Sequence, residues 1–439
     1  MSSDREFLVT ELDRDRSSRV AQVRFGTKSI VTPNFAPLVH NASDLDALMQ
    51  AHFMRELPHL RSFFVRIFDS EGTLPIVNRS RQMDMLGRVV TDRVSLFLEK
   101  TVYAIDPATE YLYYDSRMPR LLDSSGVPDA MRDYVRDLLS KKGQISSRNY
   151  NTLKTKLHRD FWDRTVNEHS LRNTLVRKIF QHATRLGADF LIPPVPLMVD
   201  DGFFDTTTKI NELSSEVALA LGRKDCANYF LLTTHALRNP QLLRKIKEYI
   251  MFSSVHLNII KFKHLDLTHP EMVEERENYK DLLLDLAYFS KNFKNRCFVV
   301  LENYYQSFPS AVAGFDIVSG SITGYDKDGG RSKTPSYGKW IDPKLMIPLE
   351  FDGVRRMFRN NGGRLPCHHD VCRTITNINE VPQARWNALR RQHCSLYYND
   401  LMVQIARAVN ERNVEFAREK LSNSQLSTLR TLVPTPSQM

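Results

Sequence analysis

Eight short β-rich runs alternate with amphipathic helical stretches, which predicts an α/β fold, a TIM-type (β/α)8 barrel. Most of the runs are apolar on both faces, as strands of a parallel sheet covered by helices must be. Beyond the last run, cysteines and histidines gather in a pattern that adds a small carboxyl-terminal metal-binding subdomain. The chain of 439 residues is 42% hydrophobic, enough for one barrel-sized core. Strand count alone leaves a doubly wound open sheet as the alternative.

Ser29–Phe35 opens the alternation, followed by the amphipathic stretch Leu45–Glu56 and a second run, Ser62–Phe68. Tyr111–Asp115 is read as the third strand, followed by the helical patterns Asp129–Leu139 and Asn167–Leu186. Asp189–Val195 is the fourth strand, Lys209–Leu221 a helix, Asn228–Thr234 the fifth strand and Pro240–Met251 a helix. His256–Phe262, the helix Glu271–Phe289, Arg296–Glu302 and Phe315–Ser319 complete the set. The expected domains are an amino-terminal extension (1–28), the barrel (29–350), a metal-binding subdomain with closing helices (351–425) and a Pro/Ser/Thr-rich flexible tail (426–439).

No apolar run approaches the roughly 20 residues of a membrane span, so no membrane partner is expected. Met1–Arg16 is polar and charged with no apolar segment, which points to the cytoplasm. Five cysteines, an odd count, do not read as a disulfide framework; Cys226 and Cys297 read as buried thiols. The formal charge of +10 suggests a polyanionic partner, and basic residues cluster at Arg79–Arg93, Lys141–Arg159 and Arg355–Arg364.

The chain reads Cys367-His368-His369-Asp370-Val371-Cys372, and His393 follows about twenty residues later. Two thiolates and two imidazoles close a tetrahedron around zinc, the set expected of a structural site with no open position. The ligands are Cys367, His369, Cys372 and His393; His368 is the alternative to His369, since adjacent imidazoles point in different directions. In a parallel barrel, catalytic groups stand at the carboxyl ends of strands. Asp115-Ser116, Thr233-Thr234-His235, Lys261 and Lys263, Glu302-Asn303 and Asp316 occupy or adjoin such positions in this reading. An aspartate like Asp316 is also what a neighbouring Lys or Arg would hold as a purely structural ion pair.

The Cys-x-His-x-x-Cys cluster followed by His393-Cys394-Ser395-Leu396-Tyr397-Tyr398 and a basic amphipathic helix resembles the zinc subdomain of the tRNA-guanine transglycosylases. Gly314-Phe315-Asp316-Ile317 precedes it at a comparable distance, and Thr32-Pro33-Asn34-Phe35, Tyr114-Asp115-Ser116 and Leu186-Gly187-Ala188-Asp189 are similar to family segments in the same order. The resemblance implies base exchange at a glycosidic carbon through a covalent aspartyl-sugar intermediate. By position, Asp316 resembles the nucleophile and Asp115 the second carboxylate, which handles the proton of the base. Ser116, Thr233, Thr234, Lys261 and Lys263 are the implied substrate-binding groups.

Departures from the family pattern fall in the base pocket. Ile192-Pro193-Pro194-Val195-Pro196 stands where the family has a purine-reading aspartate, with Asp200 and Asp201 the nearest carboxylates. Thr233-Thr234-His235 and Lys261-Phe262-Lys263 replace glycine motifs. The chain therefore looks most like the divergent branch that places a 7-deazaguanine base into DNA. DNA is the expected substrate, tRNA the first alternative, and a non-catalytic nucleic-acid-binding subunit the second. A metal-dependent hydrolase fits less well, because the Cys/His ligands sit together in one insert. An ATP-using helper protein and a homodimer formed through the zinc region are further expected partners.

Overall fold

The computed structural model describes residues 7–14, 19–74, 93–114, 118–142, 144–263, 265, 267, 271–292, 295–301, 307–320, 340–344, 346, 348–410, 419, 421 and 432. Strands β1 (Phe7–Arg14), β2 (Arg19–Phe25) and β3 (Lys28–Val31) form a small antiparallel sheet, so the amino-terminal extension is built structure. Phe25 pairs with Lys28, which leaves a two-residue turn, and Gly26 supplies the positive φ of 60° that such a turn needs.

Eight parallel strands follow: β4 (Asn34–Val39), β5 (Ser62–Arg66), β6 (Val102–Asp106), β7 (Leu197–Met198), β8 (Asn228–Thr233), β9 (Leu257–Lys263), β10 (Cys297–Leu301) and β11 (Ile317–Gly320). They make one curled sheet in the order β6-β5-β4-β11-β10-β9-β8-β7. The central strands are buried from end to end, which explains their unbroken apolar runs. Its two edges approach each other: the Asp189 N–H donates to the Tyr103 carbonyl (2.9 Å) and the Tyr103 N–H to Asp189 Oδ2 (2.9 Å). The Lys28 ammonium also donates to Asp189 Oδ2 (2.8 Å), and the Thr109 hydroxyl to the Val195 carbonyl (2.6 Å). The architecture is TIM-like.

Helices α1 (Ala42–Met54), α2 (Ile67–Thr73), α3 (Arg93–Lys100), α4 (Met118–Leu122), α5 (Asp129–Lys142), α6 (Ser147–Asn167), α7 (His169–Arg172) and α8 (Lys178–Arg185) belong to the first half of the chain. A π-helical turn, Asn173–Arg177, joins α7 to α8. Helices α9 (Phe204–Ala220), α10 (Pro240–Phe252), α11 (Val273–Asn292) and α12 (Ser307–Val312) alternate with the later strands. Local sequence sets their starts: the Asn41 side chain accepts the Asp44 N–H ahead of α1, and Asn239 accepts the Leu242 N–H beside Pro240 at the start of α10.

A two-stranded antiparallel pair, β12 (Trp340–Ile341) and β13 (Pro348–Leu349), leads into α13 (Phe351–Asn360), α14 (Asp370–Arg373) and α15 (Gln383–Asn410). Helix α15 is fastened to the sheet: the Tyr398 ring stacks on Phe35 of β4 with centroids 3.6 Å apart, and the Asn399 side chain accepts the His59 N–H. No helix among the described residues is long and apolar enough to cross a membrane.

Three strands differ from the sequence expectation. The first run, Ser29–Phe35, is split between β3 of the small sheet and the start of β4. The third is Val102–Asp106, whereas Tyr111 and Leu112 belong to a 3-10 turn, Thr109–Leu112. The fourth is reduced to a bridge at Leu191 and the pair Leu197–Met198, because Pro193, Pro194 and Pro196 have no N–H to give a ladder.

Candidate functional site

The carboxyl ends of β5, β6, β8 and β9 converge at one mouth of the curled sheet. Arg66 and Asp106 are the last residues of β5 and β6 and pair in register. Lys261 enters from β9, across the interior, and its ammonium donates to Asp106 Oδ2 (2.6 Å) and Glu110 Oε1 (2.6 Å). All of these groups are buried, and two cations, Arg66 and Lys261, balance two carboxylates. Burial opposes the Lys261 charge, but Asp106 and Glu110 outweigh it and raise its pKa above the ordinary lysine value. Burial likewise disfavours the Asp106 carboxylate, and Lys261 more than compensates, so Asp106 is held below the usual range. Glu110 Oε2 is buried with no hydrogen-bond partner among the described residues. Burial, with the adjacent Asp106 and Glu110 charges, pushes the Tyr229 phenol well above its usual pKa.

Of the sequence candidates, Lys261 is in this cluster and Lys263 stands beside it, with its ammonium over the Tyr111 and Tyr114 rings (5.2 and 5.7 Å). The Thr233 and Thr234 hydroxyls donate to the carbonyls of Met198 and Lys263 (3.3 Å each), which ties neighbouring strand ends together. Asp200 does not reach back to the mouth; it caps a 3-10 turn and takes a two-pronged bond from Arg159 (2.8 and 2.9 Å). Asp115, Ser116, Glu302 and Asn303 lie outside the described residues.

Asp316 lies away from the mouth. It precedes β11, and its N–H donates to the Phe298 carbonyl at the start of β10, so it sits at the amino end of the strands, opposite the mouth. Its carboxylate accepts from Arg19 Nε (2.9 Å) and Nη2 (2.6 Å) and from the Phe298 N–H (2.9 Å), with both side chains fully buried. All three of these bonds hold the fold together. The nucleophile role implied by the resemblance calls for an aspartate at the mouth, and here the aspartate stands one residue ahead of β11, at the other end.

Asp106, Glu110 and Arg66 were missed by sequence reasoning. The signal for Asp106 was Pro107: the residue before proline favours extended backbone, and Val102–Asp106 is a five-residue run that ends there.

No protein-family model and no curated protein matches this chain.

The second candidate site lies between α14, α15 and β12. His393 Nδ1 stands 3.2 Å from Cys367 Sγ, 3.2 Å from Cys372 Sγ and 3.3 Å from His369 Nδ1. Ligands at ordinary zinc–nitrogen and zinc–sulfur distances would be separated by roughly 3.3–3.8 Å at the corners of a tetrahedron. The far nitrogens are fixed as metal sites fix them: His393 Nε2 donates to the Ile341 carbonyl (2.8 Å), and His369 Nε2 bonds Asp400 (2.8 Å). The donor set fits a metal ion, and Cys367, His369 and His393 can hold one. His368 is not part of it; its side chain is 64% exposed and turned to Asp400. The Cys372 hydrogen bond, aided by His369 and His393, pulls Cys367 down to about 2, whereas Cys372 is pushed up. Burial lowers His369, but Asp400 and Cys367 prevail and raise it to about 9.

Proposed function

We propose that the protein is a base-exchange transglycosylase that replaces guanine in DNA by a 7-deazaguanine base. The observation that carries this reading is the pair of buried carboxylates, Asp106 and Glu110, set at the carboxyl end of the third strand and joined by Lys261. Asp106, kept ionised, is the nucleophile: its oxygen bonds the anomeric carbon as the bond to N9 breaks, and guanine leaves with the electron pair. Glu110, which accepts from the Lys261 ammonium, passes a proton from it to N9 as guanine leaves, and passes one back to Lys261 when the 7-deazaguanine gives up its N9 proton and displaces Asp106. Two inversions at one carbon give retention. The resemblance of the Cys/His segment to a transglycosylase zinc subdomain supports the same reading, with Zn2+ in a closed structural site held by Cys367, His369, Cys372 and His393.

The test is incorporation of labelled guanine or 7-deazaguanine into duplex DNA, single-stranded DNA and tRNA, with Asp106→Asn and Glu110→Gln as controls. Incorporation into DNA that is lost in both variants supports the proposal; incorporation into tRNA alone selects the tRNA enzyme. A second reading, a non-catalytic nucleic-acid-binding subunit, gains from the finding that Asp316 is locked in an ion pair. Binding without exchange on all three substrates would select it.

A further inference from the structure

Between β6 and β7 the chain inserts α4 to α8, and residues 118–186 hold fourteen Lys and Arg against seven Asp and Glu, a net +7 of the chain's +10. A continuous line of rings and cations joins this arm to the strand-end cluster. Lys263 lies over Tyr111 and Tyr114, Tyr114 packs edge-on against Tyr113 with centroids 5.9 Å apart, and Lys154 of α6 lies over Tyr113 (4.7 Å) and Tyr150 (5.7 Å). The Tyr113 hydroxyl and Thr155 Oγ1 share a hydrogen bond (2.9 Å), which fixes the ring to the same helix. Tyr113, Tyr114 and Lys154 are half-buried, so each still reaches solvent, whereas Tyr111, Tyr150 and Lys263 are buried and back them from within.

We infer that this line is a track for a single strand of nucleic acid, running from the basic arm to the mouth that holds Asp106 and Glu110. The half-exposed Tyr113 and Tyr114 rings give a sequence-tolerant surface for unstacked bases, and the Lys154 ammonium, held over a ring, gives a fixed point for a phosphate. Bases inside a duplex are stacked and cannot offer their faces, so a ring-lined path selects an opened strand. The identity of the ligand rests on the nucleic-acid reading above. Within that reading, the track offsets the cost of unstacking the target base by holding the strand beside it.

The experiment is fluorescence anisotropy of the full chain with a labelled oligodeoxynucleotide of about 16 nucleotides, the same sequence as a duplex, and the matching oligoribonucleotide. Single-stranded DNA should bind at least about tenfold more tightly than duplex at equal salt. Tyr113→Leu and Lys154→Gln should each weaken it about tenfold, with Lys154→Gln also lowering the salt slope by about 0.7. Tyr113→Phe keeps the ring and should keep the affinity, which separates loss of the track from loss of the fold. Tighter binding to the oligoribonucleotide with the same losses would support the track with RNA as its ligand. Duplex bound as tightly as single strand, or single-strand binding unmoved by Tyr113→Leu and Lys154→Gln, would overturn it. None of these readouts uses base exchange: an exchange-active protein indifferent to the two substitutions loses only the track, and a track-positive protein without exchange loses only the enzyme reading.

Discussion

Lys261→Met keeps the apolar stem of the side chain and removes the one ammonium that bonds both carboxylates. Nζ lies 2.6 Å from each acid, and the three side chains are 9%, 1% and 0% exposed, so the ion pairs are screened little by solvent. Breaking a buried ion pair from one side costs about 3–5 kcal/mol. Two stranded carboxylates place this case toward the top of that range, and the positive field of Arg66 on Asp106 brings it back to about 4 kcal/mol. The pH dependence has a definite sign. In the native protein Lys261 depresses Asp106, so that contribution is complete above the unfolded carboxyl value and is lost as pH falls through the lower folded value. In the variant, burial acts without the lysine, the folded carboxyl rises, and proton uptake restores stability as pH falls. Urea unfolding followed by circular dichroism should therefore show a gap that is largest near pH 7 and narrows toward about pH 4.5. A gap below about 1 kcal/mol near pH 7, or one that does not change with pH, would refute the reasoning.

Purified protein should contain about one zinc per chain by elemental analysis, lost in Cys372→Ala and His369→Ala and retained in His368→Ala, whose imidazole faces outward. Metal loss in His368→Ala with retention in His369→Ala would reverse the ligand assignment. Asp316→Ala should destabilise by about 3–5 kcal/mol in urea because the buried Arg19 guanidinium loses the carboxylate that balances its charge. Any base exchange should persist per folded molecule in Asp316→Ala; its loss in fully folded protein would return Asp316 to the chemistry.

The later half of the sheet was legible because its strands are unbroken apolar runs between helical patterns. Asn228–Thr233 and Leu257–Lys263 fall within one residue of expectation. The third strand was missed because Tyr111–Asp115 looks as strand-like as Val102–Asp106; aromatic residues that favour strands also pack a 3-10 turn, and only Pro107 tells them apart. The metal cluster was readable from residue spacing, and the choice of His369 over His368 needed the fold, which buries His369 beside His393 and leaves His368 outside. Asp316 shows the limit of motif reading. A strand of four residues spans about 13 Å, so a shift of one strand length moves a side chain from the reactive mouth to the opposite floor. The Asp106–Glu110–Lys261 cluster joins positions about 150 apart in a pairing that no local pattern encodes.

The Arg19–Asp316 pair spans 297 positions, and the Val9 amide finds its acceptor, Asn295, 286 positions away. At about 5–20 residues per second, roughly 15–60 s pass on the ribosome between the emergence of the guanidinium and that of its carboxylate. During that interval β4 also waits, because its neighbour β11 is the last of the eight parallel strands to be made. The nascent chain must therefore carry an unpaired strand edge and an uncompensated charge through most of its synthesis, and its folding finishes at the end where translation began.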